Sequence, residues 1–112
     1  MFIAHNPPAT QPLTVIENTV NHFEHKVIAY NPKTEKHDKP EDAYGVCYAW
    51  QIGGTEPASG EDILKSEFSR KTHLIIQYKE ADRGKPVYIT TCYENQKGRK
   101  GPWSPVVKAT VG

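Results

Sequence analysis

The chain has 112 residues, 37% of them hydrophobic and 24% charged, and a formal net charge of +1. That length leaves room for one core, and a domain of this size buries about two thirds of the surface its unfolded chain exposes. Fourteen Lys and Arg against thirteen Asp and Glu create no global field that would draw in nucleic acid, an anionic membrane or an acidic substrate, and no apolar run approaches the roughly 20 residues of a membrane helix.

Three of the nine prolines fall in the first twelve residues, which hold few large apolar groups; residues 1–11 read as a flexible lead-in and 12–112 as the folded domain. The start at Met1-Phe2-Ile3-Ala4-His5 has neither a basic stretch nor the apolar core of a signal peptide, so the compartment stays open between the cytoplasm and export with the leader removed. From there apolar residues recur at period two rather than three to four, and turn-formers punctuate the chain at short intervals, which defines an all-β class. Leu13 to Ile16 is a short first strand and His22 to Tyr30 a longer second one, stopped by Asn31-Pro32 because proline has no ladder donor. Residues 33–42 carry seven charges of mixed sign and form a solvated loop.

The clearest strand follows, with Tyr44, Val46, Tyr48, Trp50 and Ile52 on one face and Gly45, Cys47, Ala49 and Gln51 on the other, ended by Gly53-Gly54. Such alternation predicts one face on a core and the other in water. The stretch around Ile63, Leu64 and Phe68 reads as an edge strand with irregular ends. Thr72 to Tyr78 is a strand with Leu74 and Ile76 facing in, and Val87, Ile89, Thr91 and Tyr93 make the next inward face. Glu94 to Gly101 then turns the chain into a last strand, Pro105 to Val111. Seven short strands without room for crossover helices predict a two-sheet antiparallel β-sandwich, with a small barrel as the alternative.

The order Val27-Ile28-Ala29-Tyr30-Asn31-Pro32, Tyr44-x-Val46-x-Tyr48, Thr72-x-Leu74-x-Ile76, Gly84-x-x-Val87-Tyr88-x-Thr90, Asn95-x-x-Gly98 and Trp103-Ser104-Pro105 resembles a fibronectin type III domain, of immunoglobulin-like fold. The segment from Phe68 to Ser104 also resembles a recurrent C-terminal block of uncharacterised bacterial proteins, which brings no activity with it. The fibronectin resemblance implies a tryptophan near the end of the second strand, where this chain has Tyr30, and a landmark tyrosine in phase with the inward residues of the sixth. Tyr88 is out of phase with Val87, Ile89 and Tyr93, so either a bulge resets the register or Tyr88 faces outward.

Little in the chain points to catalysis or to a cofactor. His22 and His25 would share a helix face but take opposite faces of a strand, and no cysteine or second carboxylate stands at a metal-ligand spacing from His37-Asp38 or His73. Cys47 and Cys92 fall on the faces opposite the apolar ones, on strands the sandwich makes neighbours; two unpaired thiols are expected, with a cross-strand disulfide as the alternative. Gly98 and Gly101 precede no helix that would hold phosphate, and the acid pairs Glu41-Asp42 and Glu61-Asp62 sit on loops.

The expectation is therefore a non-catalytic module for protein–protein contact, or a spacer within a larger chain, without metal, cofactor, nucleic acid or membrane. The candidate partner-binding residues are Lys97, Arg99 and Lys100 at the tip of the last hairpin and Trp103 just beyond it. Tryptophan beside serine after a glycine resembles half of the Trp-Ser motif of cytokine-receptor domains, where arginine stacks over the indole. The alternative is a carbohydrate-binding sandwich using Tyr44, Tyr48 or Trp50 as an exposed sugar platform.

Overall fold

The computed structural model describes residues 6–112. Among them seven strands form, β1 (Leu13–Asn18), β2 (Glu24–Tyr30), β3 (Gly45–Ile52), β4 (Ser66–Ser69), β5 (His73–Gln77), β6 (Pro86–Glu94) and β7 (Val107–Thr110), with 3-10 turns at Gly60–Asp62 and Glu80–Asp82. They build a two-sheet antiparallel sandwich with strand orders β1-β2-β5 and β4-β3-β6-β7. In the constant-type immunoglobulin arrangement the fourth strand joins the sheet of the first, second and fifth. Here β4 pairs with β3 instead, Val46 opposite Ser69 and Ala49 opposite Ser66.

The core is the meeting of the inward rows. Val46, Tyr48 and Trp50 of β3 and Val87, Ile89 and Tyr93 of β6 pack on Val27 and Ala29 of β2 and on Ile76 and Tyr78 at the end of β5. Burying a large apolar side chain contributes about 1.5–3 kcal/mol. The phenol of Tyr48 avoids a desolvation cost by donating to the Lys71 carbonyl at 2.8 Å.

Several boundaries differ from the sequence expectation for local reasons. β2 begins at Glu24 rather than His22 because Phe23 has φ +58°, a left-handed conformation no strand accommodates. The Phe23 N–H donates to the Gly112 carbonyl, and its own carbonyl accepts from Tyr78. The expected edge strand is confined to Ser66–Ser69; before it, Ser59 Oγ accepts from the Glu61 amide and caps the Gly60–Asp62 turn. Along β6 the register with β3 is unbroken from Val87 opposite Ile52 to Glu94 opposite Gly45, so no bulge intervenes and Tyr88 faces outward, opposite Gln51 and Lys108.

The larger difference concerns the outer face of β3. Gly45, Cys47 and Ala49 were expected to meet water, yet all three are buried. So are Tyr88, Thr90 and Cys92 on the same face of β6. The chain itself lies over this sheet: the Gly60–Asp62 turn packs near β6, and Phe68 sits over Gly45, where a Cβ would overlap its ring.

Residues 1–5 of the expected lead-in lie outside the described residues; the remainder runs along the sandwich. Pro8 and Thr10 are buried, the Ala9 amide donates to Asp42 Oδ2, and Gln11 Nε2 donates to the Trp103 carbonyl.

Candidate functional site at the last hairpin and the adjoining sheet face

The hairpin tip predicted from sequence is held by Asn95, which belongs to the Asn95-x-x-Gly98 stretch of the fibronectin type III resemblance but is not among the candidate site residues. Asn95 is buried, and its Oδ1 accepts from the amides of Lys97 and Arg99, both at 2.9 Å. Its backbone N–H donates to the Arg99 carbonyl and its carbonyl accepts from Gly98, whose φ of +78° suits glycine. Asn95 Nδ2 donates to the Asn6 carbonyl, tying the tip to the start of the described chain. An asparagine followed three residues later by glycine is the turn signal that could have revealed this role.

The four predicted residues separate. Lys97, Arg99 and Lys100 are exposed on the tip, and Lys100 forms an ion pair with Glu94 at 3.4 Å. Trp103 leaves them: its indole lies over Gly60, where any side chain would overlap the ring. Its neighbour Ser104 is the anchor. Ser104 Oγ accepts from the Thr91 amide at 3.0 Å and bonds the hydroxyls of Thr90 at 2.9 Å and Thr14 at 2.6 Å, while the Ser104 amide donates to the Thr91 carbonyl. The Trp-Ser pair therefore fastens the chain between hairpin and β7, the indole on a turn and the hydroxyl on β6.

Beside the tip, two thiols face one another. Cys47 and Cys92 are register partners on the outer face, both buried and both free. The hydrogen bond from the Cys92 thiol, joined by the Lys100 ammonium, lowers the Cys47 thiol to about 7 against burial and the opposing charge of Glu94. The same hydrogen bond, with burial, pushes Cys92 well up. The result is a dithiol that sheds its first proton readily and its second with difficulty.

Other chemistry-bearing groups are dispersed. His25 is buried with Nδ1 at 2.9 Å from the Tyr78 hydroxyl, His37 lies edge-on to Tyr30, and His73 is exposed on β5. Among the described residues no three or more His, Cys, Asp or Glu gather as metal ligands, and no helix is long and apolar enough to cross a membrane.

The aromatics of the sugar-binding alternative divide. Tyr48 and Trp50 are buried at 0% and 8% exposure, with Lys65 Nζ 5.0 Å from the Trp50 ring centroid. Tyr44 is half-buried and stacked on Phe68, centroids 6.2 Å apart at 13°, and the Arg70 guanidinium stands 4.4 Å from its centroid. A shallow groove of about 380 Å³ runs past Trp50, Ile63 and the exposed Leu64.

The site thus belongs to a seven-strand antiparallel β-sandwich that offers a rigid cationic hairpin and, beside it, a covered thiol pair. Compared with known proteins, the chain matches no family model and no curated sequence.

Proposed function

We propose that this chain is a non-catalytic β-sandwich module of the fibronectin type III kind that binds an acidic surface of another protein through the Asn95–Gly101 hairpin tip. The observation that carries the reading is the double acceptance by Asn95 Oδ1, which fixes the backbone under Lys97 and Arg99 before any partner arrives. A loop ordered in advance spares the entropy of ordering on binding, and sandwich modules present their contact loops at the ends of the sheets. Burial of Tyr48 and Trp50 favours this reading over a sugar platform, since both rings serve the core.

A photo-crosslinking side chain at position 97, used in extract of the source organism, tests it. The expected result is one dominant adduct with an acidic protein, weakened by salt and lost when Arg99 and Lys100 are both alanine. A probe at Glu80, at the opposite end of the sheets, serves as the control. Adducts no stronger at position 97 than at Glu80 overturn the proposal.

A second reading, carbohydrate binding, rests on the Tyr44–Phe68 stack alone, where Phe68 keeps 40% of its surface exposed. Thermal shift against a panel of oligosaccharides separates the two: stabilisation by a sugar that Phe68→Ala abolishes favours the second.

A further inference from the structure

The thiol pair has no part in the proposed contact, and its placement gives it chemistry of its own. The Gly53 amide donates to the Pro86 carbonyl one step beyond the Ile52–Val87 register pair. Hydrogen-bonded pairs therefore recur at every second position of this ladder, through Gln51–Tyr88 and Ala49–Thr90 to Cys47–Cys92. The Cα atoms of such a pair stand about 5.5 Å apart, inside the range of roughly 4.4–6.8 Å that disulfides span, and the Cβ atoms, at the wide end of about 4.5–5.5 Å, must draw together by about 1 Å for the bond to close. Both side chains leave the same face of the sheet, and both are buried.

We propose that Cys47 and Cys92 form a reversible two-electron redox site, with Cys47 the thiol attacked by hydrogen peroxide and Cys92 the thiol that closes a cross-strand disulfide. In the first step the Cys47 thiolate attacks one peroxide oxygen. The S–O bond forms as the O–O bond breaks, and the departing hydroxide takes a proton to leave as water, giving a sulfenic acid. In the second step the Cys92 sulfur attacks Cys47 Sγ. The S–S bond forms, the S–O bond breaks, and the Cys92 proton leaves with the hydroxyl as a second water. A small dithiol reductant reverses the change by exchange, returning both thiols and becoming a disulfide itself.

The surroundings assign the two roles. The Lys100 charge favours ionisation of both thiols and the Glu94 charge opposes it, and of the two it is Cys47 whose thiol is lowered. Cys47 lies opposite Phe68 on β4, an edge strand of four residues, so a molecule little larger than water has only a thin cover to pass. Cys92 is on β6, between β3 and β7 within the sheet.

The test is a titration of the full chain with hydrogen peroxide, followed by alkylation under denaturing conditions, intact mass and a non-reducing digest. The expected product has lost two hydrogens, carries a peptide linking Cys47 to Cys92, and returns to the starting mass with dithiothreitol. The rate should rise as pH passes through about 7, and Lys100→Gln should slow it and move its midpoint to higher pH. Cys92→Ser should leave a sulfenic acid at Cys47 that a cyclic diketone traps; Cys47→Ser should slow thiol loss at Cys92 on the order of tenfold. Wild-type chain that stays reduced at peroxide levels oxidising free cysteine, over-oxidises without the link, or cross-links between molecules overturns the proposal, whether or not the serine variants fold.

Discussion

Along β5 burial alternates, with Leu74 and Ile76 turned inward and His73, Ile75 and Gln77 exposed, whereas along β3 six consecutive residues from Gly45 to Trp50 are buried. The three-stranded sheet keeps a largely open outer face, on which Leu13, Val15 and Ile75 retain about 40% of their surface and Ile28, flanked by β1 and β5, is buried. The four-stranded sheet has its outer face covered by the Gly60–Asp62 turn and the stretch after the last hairpin, and by Phe68 of its own edge strand β4. Side-chain size is what separates the two. Gly45, Cys47 and Ala49 are small enough to let a second layer approach, and Gly60 and Gly101 let that layer close on Trp103 and on the Pro8 carbonyl. A strand's alternation reports its own two faces; whether the second face is wet depends on what the rest of the chain lays across it.

That comparison can be broken by substitution. The largest effect should come from the shared core: Trp50→Ala is expected to cost about 3–5 kcal/mol in urea unfolding, because it empties a site between the sheets that Lys65 only caps. Next come the contacts peculiar to the covered face. Ala49→Leu and Gly101→Ala should each cost about 1–3 kcal/mol, the first by overpacking a buried position and the second because a Cβ would overlap the Pro8 backbone. If Ala49→Leu is neutral, the covering layer is loose and the comparison fails.

On the three-stranded side, His25 gives a pH signature. Burial holds its imidazole below the ordinary value near 6.5, so the unfolded chain takes up a proton that the folded chain excludes. Its contribution is full above about pH 6.5 and falls as the pH drops below that value. Urea midpoints measured from pH 7.5 to 5 should decline in the wild type more steeply than in His25→Gln, and parallel slopes would show that the histidine is protonated in place. The smallest effect should be Ile75→Thr, within about 0.5 kcal/mol by the same assay, because this side chain already meets solvent.

Much of the strand order was legible. Tyr44 to Ile52 and Val87 to Tyr93 alternate strongly enough to name their inward rows, and Val46, Tyr48, Trp50, Val87, Ile89 and Tyr93 form the core observed with Ile52 packed against it; Tyr44, expected in the same row, stands outside the core, stacked on Phe68 ahead of the strand. Phe23 was not legible as a strand breaker, because its positive φ follows from closing contacts with Gly112 and Tyr78, remote in sequence. At the candidate site, the cationic tip could be read from composition, but the roles of Trp103 and Ser104 could not. The indole finds Gly60 and the hydroxyl finds Thr14, and neither partner is near in the chain.

The amino-acid sequence by itself determined an all-β chain, its inward rows and the polar, glycine-bearing hairpin tip, because period-two patterning and turn chemistry act over a few residues. Tertiary structure alone decided that β4 pairs with β3, that the second face of the central strands is dry, and that Cys47 and Cys92, expected on neighbouring strands, are direct register partners. Those outcomes depend on which distant segments come to lie side by side, and a local pattern carries no information about its eventual neighbours.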